Sequence, residues 1–164
     1  MKRVIRDRRS ASGFTLIEIL IVVIILGILA AIVIPQFSNA STSAKTSAVT
    51  STAQSLRSQV SLYRLQHNDV LPPAATFWTL LTTQTDASGA AYTTASTSGP
   101  FGPYMQAVPG NALNQLATVT DVAGALYPTV NSTTATGWAY DYNSGTGSGR
   151  IYGTGTDSKT LVGP

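Results

Sequence analysis

The chain is 164 residues long, which is enough for one small domain and an anchor, and its formal net charge is +3. It has no cysteine, one histidine (His67) and one glutamate (Glu18). The lack of cysteine excludes disulfide bonds and lipid attachment through a thioether. The shortage of histidine, cysteine and glutamate leaves few side chains for acid–base or nucleophilic catalysis.

Positive charge is concentrated at the start of the chain. Five of the ten basic residues lie within residues 1–13, and without that segment the side-chain charge falls to about −1. Basic residues before a membrane span hold that end in the cytoplasm. The positive balance therefore indicates a cytoplasmic leader, with the residues after about 40 outside the cytoplasm, rather than affinity for nucleic acid.

An apolar run of 21 residues follows, at positions 14–34. As a helix it would be about 32 Å long, close to the hydrocarbon core of a bilayer. It contains Glu18, and a charge at the centre of a spanning helix costs on the order of 2.5–3.5 kcal/mol. Cleavage after Gly13 would create a charged amine on Phe14, at the depth of Glu18 in a neighbouring copy. This pairing gives the buried carboxylate a partner.

The junction Ser12-Gly13-Phe14-Thr15-Leu16-Ile17-Glu18 resembles the class III signal of type IV pilins and type II secretion pseudopilins. The resemblance implies that a prepilin peptidase cuts after Gly13 and methylates the amine of Phe14. It also implies that Glu18 is needed for assembly. Thr15 and Leu16 fit the same pattern. The resemblance is strong over residues 9–40, moderate to residue 67 and weak in the rest of the chain.

Other readings of this N-terminus account for less of it. A secretory signal cleaved after Ala40 would have an apolar region of roughly 7–15 residues without a carboxylate. A simple single-span anchor explains the length of the run but leaves Glu18 unpaired. A twin-arginine signal would begin at Arg8-Arg9, yet nothing after that pair matches such a motif beyond the apolar run.

A helical pattern continues beyond the apolar run. Pro35 predicts a kink or a local break, since proline removes one backbone hydrogen bond, although a continuous helix is expected in a free subunit. In related pilins the segment between a mid-span glycine and this proline loses helicity on packing, and the matching residues are Gly27 and Pro35. We expect one helix from Phe14 to His67, with an amphipathic continuation over residues 36–67. The following residues share its apolar face: Val49, Ala53, Leu56, Val60 and Tyr63, widened by Leu62 and Leu65.

Residues 68–164 are expected to form a small head that begins with a linker. A short helix is predicted from Phe77 to about Thr83, with Thr76 as its cap and Phe77, Leu80 and Leu81 inward, while Trp78 lies on another face. Residues 86–89 predict a turn, and residues 90–100 a flexible loop. Residues 99–105 predict an ordered turn with buried aromatic side chains, which resembles the Gly-Pro-Tyr element of pseudopilin heads.

Strands come last in the chain. Residues 116–120 alternate weakly, and Trp138, Tyr140 and Tyr142 share one face of a strand, with Ala139 and Asp141 on the other. Residues 143–149 predict a hairpin connection, and residues 150–153 pair back. The expected fold class is α+β: one long N-terminal helix packed against a small antiparallel sheet. The expected segments are a leader (1–13), a membrane or filament-core helix (14–35), its amphipathic continuation (36–67) and a head (68–164).

Two constellations of side chains bear on chemistry. A Ser-His-Asp arrangement would have to use His67, which we expect to be an exposed residue at the helix end. The resemblance to major pseudopilins implies a calcium site built from oxygen ligands, for which the available side chains are Asp121, Asp141, Asn143 and Asp157. These residues are spread out and do not include the usual clustered aspartate pair. We therefore predict no resident cofactor and assign no metal ligands, with calcium as the alternative.

The sequence predicts a structural subunit rather than an enzyme. The interpretation favoured by the absent cysteines and the head is a major pseudopilin-like subunit of a type II secretion pseudopilus. The alternatives are a major or minor type IV pilin, serving adhesion, motility or DNA uptake, and a membrane-anchored enzyme. The resemblance implies as partners other copies of the chain, the prepilin peptidase, the inner-membrane assembly platform, minor pseudopilins and, before assembly, membrane lipid. No nucleic-acid partner is expected, because the head is acidic.

Overall fold

The computed structural model describes residues 13–91, 100–122 and 135–162. Its helices are α1 (Leu16–Gln66) and α2 (Phe77–Thr82), and its strands are β1 (Val119–Asp121), β2 (Trp138–Tyr140), β3 (Ile151–Thr154) and β4 (Leu161–Val162). Short 3-10 turns lie at Ala74–Thr76 and Asn143–Gly145. The fold is α+β, as the sequence predicts. The chain divides into two compact units, Met1–Ser41 and Thr42–Pro164, which are described separately below.

Helix α1 dominates the first unit. It begins two residues after Phe14 and ends one residue before His67, so the predicted long helix is confirmed. The helix is continuous through Pro35, as expected for a free subunit. It is long and apolar enough to cross a membrane. Its large apolar side chains from Phe14 to Phe37 are all exposed, by 43% to 85%, so their cover has to come from outside this unit.

In the second unit, one face of α1 packs into the core. The buried residues are those predicted: Val49, Ala53, Leu56, Val60 and Tyr63. The inward positions predicted for Leu62 and Leu65 are wrong, because these side chains are 41% and 81% exposed. Each lies two residues after a buried position, which is about 200° around the helix. They therefore project from the side of α1 opposite the core.

The four strands form one sheet in the order β1-β2-β3-β4. Strands β2 and β3 are antiparallel, with Tyr140 opposite Ile151, and β3 and β4 are antiparallel as well. The predicted all-antiparallel sheet is wrong at one edge, because β1 and β2 run parallel, with Val119 opposite Trp138. Sixteen residues separate these two strands in the chain, which is enough for the crossover that a parallel pair requires. Strand β4 was not predicted, since two residues are too few to show alternation.

Alternation along β2 divides the core between the two faces of the sheet. Trp138 and Tyr140 are fully buried and belong to the cluster that packs on α1, and Tyr142 borders the same cluster. This confirms the predicted face. Ala139 points the other way and joins Tyr152 and Leu161 in a second cluster. Gly153 on β3 lies against Val49, and a side chain there would collide with Val49 Cγ1.

Helix α2 and the turns after it lie on the same core. The helix ends one residue earlier than predicted, and Phe77, Leu80 and Leu81 are buried as expected. Thr76 occupies the N-cap position but makes no capping hydrogen bond through its side chain. Trp78 is half-buried and donates from Nε1 to the carbonyl of Ala117 at 2.6 Å.

The turns predicted at residues 86–89 and 99–105 are present over their described parts. Gly89 adopts a φ of 82°, and its N–H donates to the carbonyl of Asp86 at 2.9 Å. Tyr104 is buried and donates its hydroxyl proton to Oε1 of Gln66 at 2.6 Å. Most of the loop predicted at 90–100 falls in residues 92–99, outside the described residues.

Candidate processing and assembly site

Gly13 and Phe14 lie immediately before α1, outside regular secondary structure, and both are exposed. Apart from its two chain neighbours, no described residue has an atom within 4 Å of a Cβ built on Gly13. The fold of this chain therefore does not require glycine at position 13. Any need for glycine there comes from an enzyme that binds the segment, which is the expectation for a peptidase cleavage site.

Thr15 and Glu18 form a capping box at the start of α1. The carboxylate oxygen Oε2 of Glu18 accepts from the backbone N–H of Thr15 at 2.8 Å and from its hydroxyl at 2.7 Å. In return, the hydroxyl oxygen of Thr15 accepts from the backbone N–H of Glu18 at 3.3 Å. Thr15 is the N-cap residue and Glu18 the third residue of the helix, which is the spacing that such a box requires.

This arrangement makes a carboxylate tolerable in an apolar segment. Hydrogen bonds from the same chain replace part of the water that the charge would lose, and the N-terminal end of a helix dipole favours negative charge. None of these three bonds involves Oε1 of Glu18, which accepts no hydrogen bond from any described residue. The carboxylate therefore retains one oxygen that a cation can approach.

The sequence reasoning used Glu18 but missed the intrachain role of Thr15. The signal was in the sequence, because threonine followed three residues later by glutamate, just before an apolar run, is typical of a capping box. The partner predicted for Glu18 was only the Phe14 amine of a neighbouring copy.

Gly27 and Pro35 both lie within α1, where the helix is unbroken. A Cβ on Gly27 would meet nothing within 4 Å, so no packing in this chain requires glycine. Glycine inside a helix costs about 1 kcal/mol relative to alanine, and proline about 3 kcal/mol. By local propensity, these two positions are therefore the least favourable for helix in the apolar part of α1. Local loss of helix on packing stays a prediction.

The oxygens suggested for calcium are divided between two places. Asp121 Oδ1 accepts from the backbone N–H groups of Tyr142 and Asn143 at 3.2 and 3.1 Å, while Asp141 Oδ2 accepts from Ser148. Asp157 lies in the β3–β4 turn and accepts from the hydroxyl of Thr160 and from the backbone N–H groups of Lys159 and Thr160, which holds its pKa down at about 2. Within the described ranges, no three histidine, cysteine, aspartate or glutamate residues are grouped to hold a metal ion. These residues do not fit a calcium site as arranged.

The predicted exposure of His67 is wrong, because its side chain is 1% exposed. His67 follows Tyr63 by one helical turn, and the two rings stack with centroids 3.9 Å apart. Nδ1 lies 2.7 Å from the carbonyl oxygen of Tyr63, which can only accept, so Nδ1 carries the proton. Nε2, 3.0 Å from the hydroxyl of Thr85, is then the acceptor. Both residues are buried, so this pair belongs to the core.

Comparisons with known proteins address the N-terminal part of the chain. Residues 8–34 match the prokaryotic N-terminal methylation motif. The type II secretion system core protein G of Pseudomonas aeruginosa is 43% identical over 61 residues, which are 37% of this chain and 43% of that protein. The corresponding protein of Aeromonas hydrophila is 34% identical over 62 residues, 38% and 43% of the two chains.

A pilus protein is similar as well. The type IV narrow pilus major component PilA5 of Thermus thermophilus is 43% identical over 56 residues, which are 34% of this chain and 48% of that protein. The matched part of this chain thus spans less than half the length of these relatives. No solved structure matches the chain.

The methylation motif covers Gly13, Phe14 and Glu18, and the relatives include both secretion and pilus subunits. One long apolar helix followed by a small four-stranded head is a pilin-like α+β arrangement. In its N-terminal motif and helix, the chain is similar to type IV pilins and type II secretion pseudopilins.

Proposed function

We propose that this protein is a structural subunit of a type II secretion pseudopilus. The observation that carries the proposal is the uniform exposure of the apolar side chains from Phe14 to Phe37. Such a surface is stable in lipid, and on leaving lipid it is stable only when apolar helices of other copies cover it. Assembly into a filament with a helical core meets that requirement without any bound cofactor.

Processing comes first in this proposal. The basic leader stays in the cytoplasm, and a prepilin peptidase cuts between Gly13 and Phe14 and methylates the new amine. The motif match over residues 8–34 supports this step. The head then lies outside the cytoplasm, with the subunit held in the inner membrane by one helix.

Assembly uses the charge pair at the start of α1. Before assembly, the Glu18 carboxylate is held by Thr15 through Oε2. During assembly, the Phe14 amine of a neighbouring copy approaches the free oxygen Oε1, so that neither charge is left alone in an apolar filament core. A single unpaired charge in such a place is strongly destabilising, by roughly 3–5 kcal/mol. The assembly platform and minor pseudopilins would start the filament, and this subunit would extend it.

Four observations bear on which filament is formed. The secretion reading is supported by the relatives named type II secretion system core protein G and by the absence of cysteine. A type IV pilus is the second candidate, favoured by the similarity to the Thermus pilus component. The secretion candidate is also supported by Tyr104, which is buried and follows Gly102-Pro103. This segment resembles the Gly-Pro-Tyr element of pseudopilin heads.

Deletion of the gene in the bacterium that encodes it separates the two candidates. A pseudopilin deletion should leave exoproteins in the periplasm, with surface pili unchanged, and the wild-type gene should restore secretion. Loss of surface filaments with normal exoprotein secretion would instead assign the chain to a type IV pilus. An unchanged phenotype in both assays would contradict a role as a major subunit.

A further inference from the structure

Contacts between the sheet and α1 show which parts of the sheet lie at each end of the second unit. Nε of Arg57 donates to the carbonyl of Ile151 at 2.9 Å, and Gly153 lies against Val49. Strand β3 therefore runs toward the N-terminal end of α1. We name the level of Val49 the proximal end of this unit, and the level of Val60 and Arg64 its distal end.

The proximal end carries an unpaired cation, Lys45. It precedes Val49 by one helical turn, so it continues the buried face of α1 just beyond the part that its own head covers. Its side chain is exposed and makes no ion pair or hydrogen bond with any described residue.

The other two cations of this part of α1 are already engaged. The guanidinium of Arg57 lies 4.8 Å from the ring centre of Tyr152, besides its bond to β3. Arg64 forms a 2.6 Å ion pair with Asp69. Of these three cations, Lys45 is therefore the one without a partner among the described residues of its own copy. It can bind a group on another copy.

The distal end carries carboxylates. Asp121 ends β1, and Asp141 follows the last residue of β2. The carbonyl of Asp141 accepts from the N–H of Gly149 at 3.0 Å, and a Cβ on Gly149 would lie 3.5 Å from Val60 Cγ1. This contact places the edge formed by Asp121 and Asp141 at the distal end.

The two charged ends cannot meet within one copy. Lys45 and Val60 are 15 residues apart, which is about 22 Å along a helix. That distance exceeds what a lysine and an aspartate side chain can bridge. The exposed Lys45 at one end and the Asp121–Asp141 edge at the other are complementary in a head-to-tail contact, and a head-to-tail contact that does not close generates an open filament.

We propose that Lys45 of one copy contacts the Asp121–Asp141 edge of another copy in the filament. The contact rests on the proposed function, since it needs copies stacked in the same direction. It fixes the axial register between neighbouring heads, because sliding one head along the other would separate the charges.

Cysteine pairs test the contact directly, because the chain has no cysteine of its own. Full-length Lys45→Cys/Asp121→Cys protein is expressed with the cell's assembly machinery, oxidised in sheared filaments and run on a non-reducing gel. We expect a ladder of disulfide-linked multimers. The matched control is Lys45→Cys/Asp157→Cys, in which both cysteines lie at the proximal end, and it should give no ladder. Neither should the single variants.

Charge reversal gives a second, independent measurement. Lys45→Glu should lower the yield of sheared filaments several-fold, and adding Asp121→Arg should restore much of it, while Lys159→Glu should leave the yield unchanged. If wild-type filaments form but the ladder and the Lys45→Glu effect are both absent, this contact is wrong and the proposed function stands. If wild-type protein forms no filaments at all, the proposed function fails and the contact fails with it.

Discussion

Oε2 of Glu18 accepts two hydrogen bonds from Thr15, one from the backbone N–H at 2.8 Å and one from the hydroxyl at 2.7 Å. The single acidic side chain of the apolar segment is thus tied to the first turn of its own helix. One carboxylate oxygen is engaged within the chain, and the other accepts no hydrogen bond from a described residue. This division of the two oxygens underlies the predictions for Glu18 and Thr15.

Processing should leave a mature chain that begins at Phe14 and carries a methyl group on its amine. Intact mass and N-terminal sequencing of membrane-extracted protein check this prediction. Gly13→Val should remain unprocessed while its head folds normally, since nothing in this chain contacts a Cβ at position 13. A mature start at Ser41 would instead indicate an ordinary secretory signal.

Glu18→Val should insert into the membrane at least as well as wild type, because it removes a charge from the apolar segment. The processed variant should then stay in the membrane and be missing from shear-released filaments. Glu18→Asp serves as the matched control, since it keeps the charge but shortens its reach. Fractionation of the three strains measures the effect, and a normal filament yield from the valine variant would show that Glu18 has no part in assembly.

Thr15→Ala should weaken the first turn of α1 by about 1 kcal/mol, because the variant loses the hydroxyl that both donates to Glu18 and accepts from its N–H. Thr15→Ser keeps that hydroxyl and should behave as wild type. Amide hydrogen exchange in micelles measures this: exchange at residues 17–19 should rise roughly fivefold in the alanine variant. Equal exchange in the two variants would mean that the capping box is not formed in the membrane-bound chain.

His67→Phe should destabilise the head by about 1–3 kcal/mol, since it retains a ring beside Tyr63 but removes both hydrogen bonds of the imidazole. Leu65→Ala is the control, because Leu65 is exposed and its truncation should change stability by less than about 0.5 kcal/mol. Both tryptophans of the chain lie in the head, so tryptophan fluorescence of detergent-solubilised protein in urea reports its unfolding. A His67→Phe midpoint equal to wild type would place His67 outside the cooperative core.

The sequence by itself determined the long helix, its buried stripe and the processing motif. These features follow from local periodicity and spacing: Val49, Val60 and Tyr63 recur at helical intervals, and Glu18 lies four residues after Phe14. Alternation likewise predicted the inward face of Trp138 and Tyr140. Interactions within one helical turn or one strand depend on residues that are close together in the sequence. For this reason they could be predicted.

Only the tertiary structure decided the features that join distant parts of the chain. The parallel pairing of β1 with β2 depends on a crossover, and the burial of His67 depends on Thr85, eighteen residues away. The exposure of Leu65, by contrast, follows from helical periodicity, because Leu65 lies about 200° around the helix from the buried Tyr63. The separation of Lys45 from the Asp121–Asp141 edge also arises only when β3 is aligned along α1, because the chain order gives no information on where a strand lies along a helix.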